Sequence, residues 1–168
     1  YMNKFKRSFV TVIGAIMIGI AFISACYFSS SAVNKSKYPV FGVDVSNYQG
    51  EIDWEMLESQ DVTFAFIKAT EGSTFVDKSI RKNIENAGKT DILISAYHFF
   101  SFDSSGETQA ENFIKTVKAD EINMPPVIDI EYYADKKRNK PSQQETDAIL
   151  KPLLSQLEKH YGKKPIIY

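Results

Sequence analysis

From residue 39 onward the apolar residues switch repeatedly between a period of two and a helical period, and this alternation limits the folds available. Residues 40–46, VFGVDVS, read as a strand with Phe41, Val43 and Val45 on one face and Gly42, Asp44 and Ser46 on the other. Asp53 reads as the N-cap of a short helix, WEMLESQ, and residues 62–70, VTFAFIKAT, as a second strand. Asp77 reads as the cap of a helix with Ile80, Ile84 and Ala87 on one stripe, stopped by Gly88. Residues 92–100, ILISAYHFF, are the third expected strand. Ala110, Phe113, Ile114 and Val117 then fall at helical spacing over about 106–119, and PPVIDIE follows as a fourth strand. Ser142 and Glu145 form a capping box for a helix with Ile149, Leu153, Leu154 and Leu157 inside. Pro152 predicts a kink or local break in it. Gly162 marks its end, and PIIY begins a fifth strand.

Strand and helix in alternation, with short connections, is the pattern of parallel βαβ units. An open doubly wound sheet and a (β/α) barrel both satisfy it. No Gly-rich phosphate loop follows any strand, which removes support for a nucleotide-binding sheet. The small and acidic face of the first strand suits the mouth of a barrel. The expected fold is therefore α/β: a (β/α) TIM-like barrel, C-terminally incomplete with about five strands present, preceded by an N-terminal membrane segment.

That segment obeys a different rule. Lys4, Lys6 and Arg7 precede an uncharged apolar run over residues 8–28. A basic flank before such a run predicts a signal peptide, a lipoprotein signal or a membrane anchor over 1–28, with the remainder outside the membrane. Ile23-Ser24-Ala25-Cys26 resembles the bacterial lipobox, which makes Cys26 a lipidation candidate; the alternative is one more apolar residue of an uncleaved anchor. Residues 29–38, SSSAVNKSKY, read as a flexible linker, and 39–168 as the folded domain. With Cys26 the single cysteine, neither an intrachain disulfide nor a Cys-based zinc site is available. A net charge of −1 argues against a nucleic-acid partner.

The fourth strand poses the chemical question. Asp129 and Glu131 sit among Val127, Ile128 and Ile130, and a carboxylate taken from water is costly unless paired, hydrogen-bonded or protonated. Two apart, they share a face, and the C-terminal ends of barrel strands are where catalytic groups gather. Asp44, late in the first strand, and Glu71, just past the second, would reach the same mouth, with Lys68 the sole nearby cation on those strand ends. Converging acids push some pKa values up, as the acid/base work of glycoside cleavage requires. Taken singly, Asp44 and Glu71 read more readily as helix caps or solvated loop residues. Clustered acids also hold Mg²⁺ or Ca²⁺, so spacing alone leaves metal-free hydrolysis and metal-assisted chemistry level.

Four stretches carry a resemblance: GVDVSNYQGEIDW from Gly42, FAFIKATEG from Phe64, AYHFF from Ala96, and DIE at 129–131. In this order and spacing they closely resemble glycoside hydrolase family 25, the N-acetylmuramidases of phages and bacteria. The resemblance implies hydrolysis of the β-1,4 bond between N-acetylmuramic acid and N-acetylglucosamine in peptidoglycan, without metal or cofactor. It implies Glu131 as general acid and Asp129 as second carboxylate. The family is thought to retain configuration, with the substrate's N-acetyl group as nucleophile and Asp129 orienting it. Asp44 would join the catalytic group, and Glu71 and Tyr97 would line the substrate groove, Tyr97 reading as readily as a core tyrosine. Family domains continue past a fifth strand, so a chain ending at Tyr168 is expected to be poorly stable by itself. The expected partners are peptidoglycan glycan strands and, through residues 1–28 or a lipidated Cys26, the membrane. A monomer at the extracellular face of the bacterial membrane, or a secreted one, follows. Two other readings stand beside the enzyme: an inactive wall-binding or scaffold descendant, and a metal-dependent hydrolase using the same acids.

Overall fold

The computed structural model describes residues 39–168; the expected membrane segment, Cys26 and the linker lie outside the described residues. Among the described residues no helix is long and apolar enough to cross a membrane.

Five strands run parallel: β1 (Gly42–Val45), β2 (Phe64–Glu71), β4 (Leu93–Phe99), β5 (Val127–Asp129) and β6 (Ile166–Ile167). Each pairs with its predecessor among these in the chain, in the order β1-β2-β4-β5-β6 without reversal. A two-residue strand that the sequence pattern did not announce, β3 (Phe75–Val76), folds back antiparallel onto the end of β2. Helices α1 (Trp54–Ser59), α2 (Ile80–Ala87), α3 (Gly106–Thr116) and α4 (Gln143–Tyr161) occupy the connections.

One face of the sheet meets the helices. Val45, Ala65, Ile67, Ala69, Ile94, Ala96 and Ile128 belong to a single core with Ile80, Ala87, Ala110, Phe113, Leu153 and Leu157. Burial of a side chain such as Phe113, wholly inaccessible, contributes about 1.5–3 kcal/mol. The opposite face carries Gly42, Asp44, Phe64, Phe66, Tyr97, Val127 and Asp129. Gly42 is fixed there by close approach, since a Cβ on it would fall inside the ring of Phe64.

The helix ends follow the sequence signals in most places. Asp53 accepts from the Met56 amide at 2.9 Å, and Ser142 and Glu145 form both halves of their capping box. Gly162 closes α4 in the left-handed conformation, φ 66°. Two signals resolve differently. Asp77 is not the N-cap of α2; that position is Ser79. Asp77 is buried and accepts from the Asn47 amide (3.0 Å), the Asn47 side chain (2.7 Å) and the Ser79 amide (2.8 Å), tying the turn after β1 to the start of α2. Nor does Pro152 break α4, which stays helical through it. The N-terminus of α3 rests on α4 one turn earlier, where a Cβ on Gly106 would overlap the Ile149 carbonyl.

Candidate active site

Parallel strands bring their C-terminal ends to one side of the sheet, where residues of the inner face converge. Asp44 from β1, Tyr97 from β4, Asp129 at the last position of β5 and Glu131 just beyond line one open cavity of 330 Å³, together with Phe64, Phe66, Val127 and Tyr168. The fourth strand is shorter than its apolar pattern, so Glu131 lies past its end, yet it borders the same space as Asp129. Asp44 and Glu131 are exposed, whereas Asp129 is half-buried.

Asp129 is held by its backbone on both sides. Its carbonyl accepts from the Phe100 amide at 2.8 Å, and the next amide, of Ile130, donates to the Tyr168 carbonyl at 3.0 Å. Its Oδ1 is buried with no hydrogen-bond partner. Burial, then the neighbouring charges of Glu131 and Asp44, push its carboxyl from the usual 3.8 up to about 6, with Lys68 opposing. The expectation that converging acids would raise a pKa is met at Asp129.

Glu71 reaches the inner side by an irregularity. Strict alternation would place residues 68 and 71 on opposite faces. The β2–β4 register shifts between Lys68 and Thr70, so Lys68 pairs with Tyr97 and Glu71 with Phe99. This bulge turns Glu71 back towards Lys68, and the two form an ion pair at 2.9 Å. Lys68 is nearly inaccessible, its ammonium 5.1 Å from the centre of the Phe99 ring and 5.5 Å from that of Phe75. Glu71 therefore borders an adjoining depression with Phe75, Phe99, Ser101 and Tyr133 rather than the cavity of Asp44 and Asp129.

Tyr97 does face that cavity. Burial and the charges of Asp44, Asp129 and Asp77 push its phenol well above the usual range, against a hydrogen bond from Ser46. It remains a neutral hydroxyl at any working pH. Among the described residues no group of three or more His, Cys, Asp or Glu side chains is placed to hold a metal ion.

Two polar arrangements behind the cavity are absent from the sequence reading. His98 is fully buried on the helix side, with Nδ1 2.7 Å from Thr70 Oγ1 and Nε2 2.9 Å from Gln109 Oε1. Gln109 Nε2 donates to the Ser101 and Ser104 carbonyls, which fixes its amide orientation. Its Oε1 can only accept, so the His98 proton sits on Nε2 and Nδ1 accepts from Thr70. Burial holds the imidazole down at about 4. The second arrangement centres on Tyr133, whose hydroxyl accepts from the Phe102 amide (3.0 Å), meets Ser101 Oγ (3.1 Å) and donates to Asp103 Oδ2 (2.9 Å). A polar Gln109 beside Ala110 and Phe113 on an inward helix face was the one sequence signal of the first; Tyr133 follows an identical residue and had none.

Comparison with known proteins agrees with this geometry. Residues 43–168 match the family model "Glycosyl hydrolases family 25". The chain is 37% identical over 138 residues to the uncharacterized protein YegX of Escherichia coli K12, an alignment covering 79% of this chain and 49% of YegX. It is 40% identical over 97 residues to lysozyme M1 of Streptomyces globisporus, covering 55% of this chain and 33% of that protein. The solved structure of a family 25 glycosyl hydrolase from Bacillus anthracis superposes with a TM-score of 0.74 at 58% identity, over 77% of this chain and 59% of that one. The chain spans about half the length of YegX. With the match running from β1 through β6, the chain belongs to glycosyl hydrolases family 25.

Proposed function

We propose that this protein hydrolyses peptidoglycan at the β-1,4 bond between N-acetylmuramic acid and N-acetylglucosamine, with Glu131 as general acid and Asp129 as second carboxylate. The observation that carries the reading is the cavity at the strand ends, where Asp44, Asp129 and Glu131 meet and one carboxyl is half-buried and raised to about 6. Relatives named as lysozymes support the substrate class.

A sugar alkoxide leaves poorly without a proton, and Glu131, open to the cavity, is placed to deliver one to the glycosidic oxygen. The carboxyl raised beside it is that of Asp129, which is ionised above about pH 6. Asp129, ionised, accepts the amide N–H of the substrate's N-acetyl group. That turns the acetyl oxygen towards the anomeric carbon and stabilises the positive charge that develops as the bond breaks. Asp44 adds negative potential opposite, and the neutral Tyr97 hydroxyl offers a sugar contact. Glu71, tied to Lys68, borders the groove one depression away.

The same reading closes the sheet into a (β/α) barrel; the unreversed strand order supports it. It also places a monomeric enzyme at the outer face of the bacterial membrane, tethered through residues 1–28 or a lipidated Cys26, with glycan strands as its partner.

Glu131→Gln tests the acid. Incubated with cell-wall peptidoglycan, wild type should release reducing ends terminating in muramic acid, while the variant should bind walls and release none. Near-normal turnover by the variant would overturn the role of Glu131. Binding without cleavage by wild type would mark a non-catalytic wall binder.

A further inference from the structure

Glu131 stands past the end of β5, and among the described residues nothing bonds its carboxylate. Its direction is therefore set by the backbone on either side. Upstream, the Asp129 carbonyl and the Ile130 amide are held by Phe100 and Tyr168. Downstream, two consecutive tyrosines clamp the chain to the loop that follows β4. Tyr132 stacks on Phe102, rings 5.7 Å apart and 10° from parallel, with the Lys140 ammonium 4.9 Å from its ring centre. Tyr133 sends its hydroxyl into the same loop.

That hydroxyl is saturated. Its proton goes to Asp103, and its oxygen takes the Phe102 amide and Ser101 Oγ. Asp103 is fixed in turn by Lys136 at 2.9 Å, from the chain just beyond Tyr133. The receiving loop is rigid as well, since Gln109 accepts from the Ser101 amide and donates to the Ser101 and Ser104 carbonyls, and buried His98 holds Gln109. An unbroken set of bonds thus runs from the core under β4 to the residue two places after Glu131.

We propose that Tyr133 is a positioning residue for the Glu131 carboxyl, its hydroxyl anchoring the β5–α4 loop to the β4–α3 loop so that the acid meets the glycosidic oxygen. The proposal rests on the reading of Glu131 as general acid. A misplacement of about 1 Å in a reacting group costs on the order of 100-fold in rate, so a fixed arm matters even where the carboxylate itself is free. Tyr133 does not touch the reacting atoms; its effect falls on proton delivery and not on glycan binding.

The test compares two substrates in the full chain. In cell-wall glycan the departing sugar needs a proton, whereas an activated nitrophenyl β-glycoside of the same disaccharide loses its phenolate without one. Tyr133→Phe and Asp103→Ala are each expected to lower kcat on glycan at least about tenfold with KM unchanged. On the nitrophenyl glycoside each should change kcat less than about twofold. Asp103 is exposed, so its variant reads the clamp without disturbing the core. Wild-type kcat on glycan, or equal losses on both substrates, overturns the proposal. Glu131→Gln run in parallel should show the same split more deeply; if it keeps glycan turnover, the acid assignment itself falls.

Discussion

Asp129→Asn is expected to stabilise the folded chain while abolishing turnover. The carboxyl is half-buried, its Oδ1 has no partner, and its pKa stands at about 6 instead of 3.8. At about 1.4 kcal/mol for each pH unit between those values, ionising it in place costs at most about 3 kcal/mol. The group is still partly open to water, and screening reduces that figure to about 1–2 kcal/mol. An amide of the same shape is neutral at every pH and recovers this cost. A carboxyl whose folded pKa is raised binds its proton more readily in the folded chain. The stability it confers when protonated is complete below its unfolded value, about 3.9, and is lost as pH rises through about 6. The variant should therefore gain near neutral pH and gain nothing below about pH 4.

Urea unfolding of wild type and variant at both pH values measures the difference directly. For a domain of this size, about 1–2 kcal/mol corresponds to a rise of roughly 3–10 °C in Tm. Peptidoglycan turnover, assayed alongside, should vanish because the amide no longer presents an anion to the N-acetyl group. An unchanged or lower midpoint near pH 7, or an equal gain at about pH 4, would refute the claim that an ionised Asp129 burdens the fold.

Four further outcomes follow from the same geometry. Lys68→Met removes the cation that opposes the rise at Asp129, so the acid limb of the kcat/KM profile should move to higher pH; an unmoved limb would separate Lys68 from the cavity. Thr70→Val leaves His98 Nδ1 without its donor in a dry site, an expected loss of about 1–3 kcal/mol in denaturant unfolding. The His98 imidazole itself, depressed to about 4, contributes stability that is present above its unfolded value of about 6.5 and lost as pH falls through about 4. Ring proton shifts followed by NMR should show it neutral until then. Gly42→Ala drives a methyl into the Phe64 ring and should cost about 1–3 kcal/mol, with Asp44 displaced and turnover reduced.

Features governed by a few neighbouring residues were legible in the sequence. The alternation of periods located every parallel strand, and Asp53, the Ser142–Glu145 box and Gly162 marked helix ends where the structure has them. Asp44, Asp129 and Glu131 were placed at one mouth from strand position and Tyr97 from the family resemblance, and one cavity holds all four; Glu71, expected at the same mouth, borders the adjoining depression instead. What escaped depends on distant partners. Asp77 looks like a cap until Asn47, thirty residues away, claims its carboxylate. Tyr133 looks like Tyr132 until the loop after β4 supplies Phe102 and Asp103. Pro152 ought to break a helix, but the packing of α3 against the α4 backbone beside it supplies the tertiary support that local propensity ignores.

The bulge in β2 shows why such long-range details decide the chemistry. Of the inner-face residues around the acids, Lys68 is the cation buried among them. Paired directly with Asp129, it would hold that carboxyl ionised and low but neutralise the anion that the N-acetyl group is to meet. An extra residue between Lys68 and Thr70 rotates Glu71 onto the ammonium instead, at 2.9 Å, while the Phe75 and Phe99 rings flank it. Asp129 then feels Lys68 only at a distance, as an opposing influence too weak to cancel burial and the charges of Glu131 and Asp44. Glu71 thus acts on the cavity without entering it: by occupying the cation, it leaves burial and the charges of Glu131 and Asp44 to raise Asp129.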